Sequence, residues 1–492
     1  MKVINNPEGI NHINDQTFEY NGYIGIETRG NTSQMFFEKK SYNLETRTDS
    51  GTNLNVSLLG LPAENDWVLY GPYSDKSLIR NVLAYRMGNL QGRWSPRTRF
   101  CEVFINGEYR GIYVLTEKIK IDDNRVDIAT LKPEDNSGDE LTGGYILRID
   151  RHRDGCWISP FMGRTGSVEV PISYLDPKYD ELTEEQRMYI RDFVTDFEYA
   201  LHGPDFKDPK LGYRAFIDIT SFIDYFIISE ISRDLDGYRC SVYFHKDKDS
   251  KGGKLIMSPL WDYNLGFGNG DFFQAENPVG WVADGLGSGD WYEIPFWWDR
   301  LQEDPYFNTL LKLRWNNLRN HQFSTANIHA IIDSCANLLD LAQERNFKKF
   351  DILDKYVWPN PYVGEYYYNE VGYLKNWISQ RLNWIDSQID MIIPLSIDEG
   401  GLESFARGNE CLVYPNPFHE KVSFSINWPE KAEADIIISN VSGEMIIQDH
   451  LSCMPGINEF EPDPKKIRNK GIYFYQIRIE GEIVQSGKLV RY

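Results

Sequence analysis

The stretch Phe226–Gly268, FIISEISRDLDGYRCSVYFHKDKDSKGGKLIMSPLWDYNLGFG, constrains this chain more than any other. An apolar helical run ends in a short polar loop, and two strand-like segments follow, Cys240–His245 and Lys254–Pro259. The KDKDSKGG between them is hairpin-turn chemistry: glycine accepts positive φ, while Asp and Ser bond back to their own backbone. An antiparallel pair returns its far end to its starting point. Asp236, before the first strand, and Asp262, after the second, are therefore expected to meet in space. Two carboxylates in one polar pocket suit a divalent metal plus a base, the arrangement used in phosphoryl transfer. The plainer reading is that each aspartate caps a turn. Gly266, Gly268 and Gly270 follow, letting the backbone turn sharply or approach a ligand.

At 492 residues the chain is too long for one ordinary core, and two or three domains are expected. Charged residues at 25% and hydrophobic residues at 41% describe a globular composition. The formal net charge of −21 disfavours nucleic acid and anionic lipid as partners. An acidic chain that uses ATP needs local Lys and Arg, and metal ions to offset the nucleotide's charge. Cys101, Cys156, Cys240, Cys335, Cys411 and Cys453 are scattered without CxxC spacing, so neither a structural zinc site nor a disulfide framework is expected. No stretch approaches the roughly 20 apolar residues of a transmembrane segment, and Met1–Gly9 lacks the apolar run of a signal peptide.

Residues 1–130 read as mostly β. A strand from Gly22 ends in the small-residue turn Arg29-Gly30-Asn31-Thr32-Ser33, and a second strand from Tyr42 is led in by Lys39-Lys40. Such a turn with a basic residue on the return strand can form a lid over phosphates, or simply a surface hairpin with lysines. Strand alternation puts Lys39 and Lys40 on opposite faces. A helix is expected over Asp75–Leu90, with Leu78, Ile79, Val82, Leu83 and Met87 on its buried face and Arg80 and Asn81 on a solvated one. Asn106-Gly107 marks a hairpin turn.

Residues 131–395 read as mostly helical. Thr183-Glu-Glu-Gln186 is a capping box ahead of the stripe Ile190, Phe193, Val194, Phe197, Leu201. The helix Ile219–Glu230 delivers the chain to the Asp236 loop; Glu230 near its end needs a partner, expected to be Arg233 or Arg239. The Gly- and Trp-rich residues 271–300 read as a substrate-facing lid or a packed Ω-loop, and residues 304–395 as three helices. Residues 396–411 read as a linker, and short β runs over 412–492 as a small β-sandwich.

Two resemblances follow from these residues. Asp236-Gly237-Tyr238-Arg239, the strand Ser241-Val242-Tyr243, Trp261-Asp262-Tyr263-Asn264 with Gly266 and Gly268, and the Arg29-Gly30-Asn31-Thr32-Ser33 turn with its paired lysines resemble the spore-coat-protein-H (CotH) family of atypical, secreted protein kinases. Tyr414-Pro415-Asn416-Pro417, Asn440-Val441-Ser442-Gly443, Gly456-Ile457-Asn458, Gly471-Ile472-Tyr473 and Lys488-Leu489-Val490 resemble the C-terminal sorting domain of the type IX secretion system. Together they imply an α+β protein with a two-lobed kinase-like fold and a C-terminal β-sandwich. Such a protein would be handled by the type IX machinery and secreted or attached to the outer-membrane surface.

The first resemblance implies transfer of the γ-phosphate of ATP to a protein or surface-glycan acceptor. Asp236 would be the catalytic base. Asp262, with Ser241 and Asn264, would hold Mg²⁺ or Mn²⁺, and Arg29, Asn31, Ser33 and Lys40 would face the phosphates. Glu117, at the end of a strand, would belong to the connector beside adenine. Ser241 stands where ordinary kinases place a metal-binding Asn, and Asn264 where many family members have Asp. Both changes remove charge from the metal site and leave open a nucleotide-binding pseudokinase. A glycan- or protein-binding surface protein using the aromatic loop Phe272–Trp298 is the reading from another class. A metal-dependent hydrolase lacks a clear nucleophile motif.

Overall fold

Five alternating segments at the N-terminal end pair into one antiparallel sheet in the computed structural model, in the spatial order Tyr23–Arg29, Ser41–Arg47, Asp66–Tyr70, Glu108–Glu117, Thr98–Ile105. Leu44, Trp67, Leu69, Tyr113 and Leu115 alternate inward and form its core. The Asn106-Gly107 turn takes φ of 53° and 81°, the left-handed pair that matches strand twist. The structure describes residues 1–6, 9–285, 292–389, 410–414, 418, 422–428, 430–463, 465–467 and 469–491. Two compact units divide the chain: residues 1–304 with 322–388, and 305–321 with 389–492.

A second antiparallel sheet of five strands lies in the part expected to be mostly helical. Its order is Leu255–Ile256, Val242–Lys246, Tyr145–Ile149, Pro171–Asp176, Trp157–Ile158. The expected hairpin forms, but over two residue pairs only, His245↔Ile256 and Lys246↔Leu255. Its second strand therefore stops three residues short of Pro259, which has no N–H to give a ladder. Its first strand is held instead by five pairs with Tyr145–Ile149, among them Val242↔Ile149 and Tyr243↔Arg148.

The helices follow local chemistry. Thr183 and Gln186 make the reciprocal capping box that starts Glu184–His202. Asp218 caps Ile219–Ser232 by accepting from the Ser221 N–H at 2.7 Å. That helix is buried on nearly every face, as its apolar composition requires. The helix expected from Asp75 starts at Arg80, because Asp75 stays outside it and accepts from both the Arg80 N–H at 2.9 Å and the Arg80 guanidinium at 2.6 Å. Arg80 and Asn81 are buried, not solvated as their polarity suggested. Thr325–Lys349 and Tyr367–Ile389 complete this unit's long helices.

Around the Gly- and Trp-rich segment, Trp281 packs against Phe226 and Trp384, and Val282 and Ala283 are fully buried; residues 286–291 lie outside the described residues. Among the described residues no helix is long and apolar enough to cross a membrane. All six cysteines are free thiols.

The second unit holds the helix Pro305–Asn320 and two antiparallel sheets of three and four strands. Side chains of both sheets, including Phe424, Ile426, Ile436, Ile438, Ile477 and Leu489, form one apolar cluster. Of the expected linker, residues 396–409 fall outside the described residues, and a strand begins at Glu410.

Candidate functional site

The helix Ile219–Ser232 ends abruptly. Arg233 adopts left-handed backbone (φ 47°), and Tyr238 (φ 73°) and Ser241 (φ 54°) do the same before the next strand begins. Three non-glycine residues in that region within nine positions store strain that the surroundings must over-determine. The lock is visible. The Asp236 carbonyl accepts from the N–H groups of Arg239 (3.2 Å) and Cys240 (2.9 Å), and the Tyr238 hydroxyl donates to Glu230 at 3.0 Å. Glu230 also accepts from the Val282 and Ala283 N–H groups and pairs with Arg381 at 3.0 Å, so its partner is neither Arg233 nor Arg239. The expectation favoured sequence neighbours, whereas helix packing brings in a guanidinium 151 positions away.

Asp262 is also left-handed (φ 67°), and its N–H donates to the Tyr85 hydroxyl at 3.1 Å. Just beyond it, Gly268 has φ 74°, and a Cβ there would stand 2.6 Å from the Trp377 ring, so only glycine fits. Asp236 and Asp262 face a common cavity of about 880 Å³, whose lining includes Arg29, Asn31, Ser33, Ser241 and Asn264. Burial, then the negative charge of Asp236, pushes the Asp262 carboxyl up to about 6, against the opposing pull of Arg29. The Asp236 carboxyl is also raised, by burial, against the nearby Arg239 and Arg151.

The two residues of the expected set that do not line the cavity are Lys40 and Glu117. The Lys40 ammonium donates to the Gln34 and Phe37 carbonyls at 2.7 and 2.6 Å, pinning the short helix Thr32–Phe36. Lys39 is buried on the other side, donating to Asn346 at 2.9 Å between the Tyr113 and Phe350 rings. Glu117 is buried in a bidentate pair with Arg97, at 2.8 and 2.7 Å. The period of two explains this, since its neighbours Thr116 and Lys118 are the ones that reach the cavity.

Four residues that the sequence reading did not place there also line it: Arg148, Asp150, Arg151 and Arg153. They come from the strand Tyr145–Ile149 and the turn beyond it. The alternating Arg148-Ile149-Asp150-Arg151-His152-Arg153 is the signal that could have revealed them. Asn81 lines the cavity too, and its buried Oδ1 accepts no hydrogen bond from the described residues.

Among the described residues no group of three or more His, Cys, Asp or Glu side chains forms a metal cage. Two mutually repelling carboxylates, with an unpaired amide oxygen lining the same cavity, are nevertheless donors of the kind a magnesium-type ion takes. Such an ion takes one or two carboxylates and draws its remaining oxygens from phosphates and water.

These features define a mixed helix-and-sheet protein with two aspartates and an arginine-rich wall around one cavity. The model of the CotH kinase protein family matches residues 26–385, and the chain belongs to that family. Residues 412–491 match the secretion system C-terminal sorting domain, which marks a secreted or cell-surface protein. No curated protein matches the chain. Among solved structures, Pseudomonas fluorescens alkylpurine DNA glycosylase AlkC, bound to DNA containing an abasic site analog, is similar at 13% identity with a TM-score of 0.12. That match covers 40% of this chain and 55% of the glycosylase, and it supports no statement about fold or activity.

Proposed function

We propose that the chain is a secreted, metal-dependent phosphotransferase that moves the γ-phosphate of ATP to an acceptor hydroxyl. The observation that carries this reading is the meeting of Asp236 and Asp262 in one cavity that Arg29 and the Gly30–Ser33 turn also line. Asp236 is the base: it orients the acceptor hydroxyl and takes its proton as the oxygen bonds to the γ-phosphorus and the bond to the β-phosphate oxygen breaks, releasing ADP. Asp262, with Asn264 and Ser241 beside it, would hold a magnesium or manganese ion, which supplies charge neutralisation at the phosphates when bound. Arg29, over the Trp261 ring at 5.2 Å and near enough to act on Asp262, would offset phosphate charge beside the metal-binding aspartate. The chain's own contribution is positioning and electrostatics. The two sheets around this cavity correspond to the two lobes of a kinase-like fold, and the two sheets of the second unit to a sandwich.

One observation favours a second reading, a nucleotide-binding protein without turnover. The Lys40 ammonium is committed to backbone carbonyls, which removes a cation expected at the phosphates.

The test is phosphate transfer from γ-labelled ATP, with Mg²⁺ and then Mn²⁺, by the unaltered chain, Asp236→Asn and Asp262→Asn. Incorporation that falls at least about 100-fold in both variants is expected. Stabilisation by metal-ATP without any incorporation would replace this reading with the second one.

A further inference from the structure

Arg148 lines the cavity without a counter-ion in the protein. It sits on the strand Tyr145–Ile149, and the register sets it directly across from Tyr243 of Val242–Lys246. Residues opposite one another in paired strands share a face of the sheet, and both of these line the cavity. The Arg148 side chain forms no ion pair and no hydrogen bond among the described residues, and its Nε is buried without a partner there. An enclosed guanidinium nitrogen with no acceptor is costly, so a vacant acceptor position beside it calls for an explanation.

Most other cations near the cavity are already committed. Lys118 pairs with Asp66 at 3.2 Å and Arg153 with Asp150 at 2.9 Å. Arg239 lies 3.8 Å from Asp236 and donates to the Leu235 carbonyl at 2.7 Å. Arg151 reaches Thr32 at 3.5 Å and lies over the Tyr292 ring. Lys40 is spent on two backbone carbonyls. Arg29, over the Trp261 ring, shares with Arg148 the lack of an ion pair among the described residues.

These two guanidiniums act on one phenol. The Tyr243 hydroxyl is held above its ordinary range chiefly by burial, and it also feels Asp150, Arg148, Arg29 and Asp262. The Tyr243 ring meets Trp261 edge-on at 6.5 Å, and Arg29 lies over that same indole. Arg148, Arg29 and the aspartate assigned to the metal therefore stand around a single tyrosine.

We propose that Arg148 binds the phosphate chain of the nucleotide and supplies the cation that Lys40 does not. The proposal rests on the phosphotransferase reading and adds a residue to its nucleotide site. A metal-bound triphosphate still carries net negative charge, and phosphate is the only anionic part of the nucleotide. The planar guanidinium fork matches two phosphate oxygens, whereas neutral base and ribose offer a cation no comparable partner.

The test is calorimetric binding of ATP, inorganic tripolyphosphate and adenosine, each with Mg²⁺, to the full chain, Arg148→Gln and Arg148→Lys. Because binding is read, the outcome does not depend on transfer. Arg148→Gln is expected to weaken ATP and tripolyphosphate alike, by at least about tenfold, and to leave adenosine within about twofold. Arg148→Lys keeps the charge but not the fork, so a smaller loss in the same order is expected. It also decides the matter if the glutamine variant does not fold. ATP binding weakened with tripolyphosphate unchanged would put Arg148 at the base or ribose and overturn the proposal. ATP binding that both variants retain would overturn it too, with the phosphotransferase reading left standing. An unaltered chain that binds neither ATP nor tripolyphosphate would sink that reading and this proposal with it.

Discussion

The Arg381 guanidinium and the Glu230 carboxylate lie 3.0 Å apart with both side chains almost wholly sealed from water. Arg381 also donates to the carbonyls of Glu230, Pro278 and Gly280, and Glu230 accepts from Tyr238, Val282 and Ala283. One buried ion pair therefore ties the helix before the Asp236 loop, the Trp281 segment and the helix Tyr367–Ile389 into one body.

Breaking that pair from one side leaves a charge buried without a counter-ion. Arg381→Met is expected to destabilise the unit by about 3–5 kcal/mol in urea unfolding, and Glu230→Gln/Arg381→Met to recover part of the loss. Full additivity of the two single changes would contradict the coupling.

Gly268 combines a φ of 74° with a Trp377 ring 2.6 Å from where a Cβ would stand. Gly268→Ala is expected to cost about 2–4 kcal/mol by thermal unfolding, from backbone strain plus displacement of the indole. Gly443→Ala, at φ 82° with open space around it, carries the strain alone and is expected to cost about 1 kcal/mol.

Glu198 is buried, accepting from Ser159 and Trp297 through one oxygen, and burial pushes its carboxyl up to about 7 from an ordinary 4.5. The folded state therefore binds a proton more readily than the unfolded chain. Its favourable contribution is complete below about pH 4.5 and is lost as pH rises through about 7. Glu198→Gln is expected to be more stable than the parent by on the order of 3 kcal/mol at pH 8 and equal to it at pH 4, read from urea midpoints at both pH values.

Lys39 shows the opposite sign. Burial lowers its ammonium to about 7 from 10.5, with Asn346 as its hydrogen-bond acceptor. Its contribution is complete above about pH 10.5 and is lost as pH falls through about 7. Lys39→Met is expected to remove that pH dependence, gaining stability relative to the parent at pH 6 and little at pH 10.

Much of the local structure was legible in the sequence. The turn at Asn106-Gly107, the capping box at Thr183 and the return of Asp262 towards Asp236 all rest on residues close in the chain or on a hairpin. What was not legible depends on distant pairing. Arg148 reaches the cavity because its strand pairs with Val242–Lys246, a register that no local pattern announces. The Glu230 partner comes from another helix, and the directions of Lys39 and Lys40 depend on Asn346 and on the Gln34–Phe37 turn. The doubled basic pair signalled positive charge but not where each ammonium would be spent.

The absence of disulfides among the six cysteines has a consequence for a protein handled by an export system. Burial raises Cys101 to about 12 and Cys240 higher still, so at neutral pH both sulfurs are essentially uncharged packing atoms and poor nucleophiles. With Cys335, Cys411 and Cys453 also enclosed, Cys156 beside His152 is left as the accessible point for alkylation or air oxidation. Oxidation of the folded chain is therefore expected to begin at Cys156.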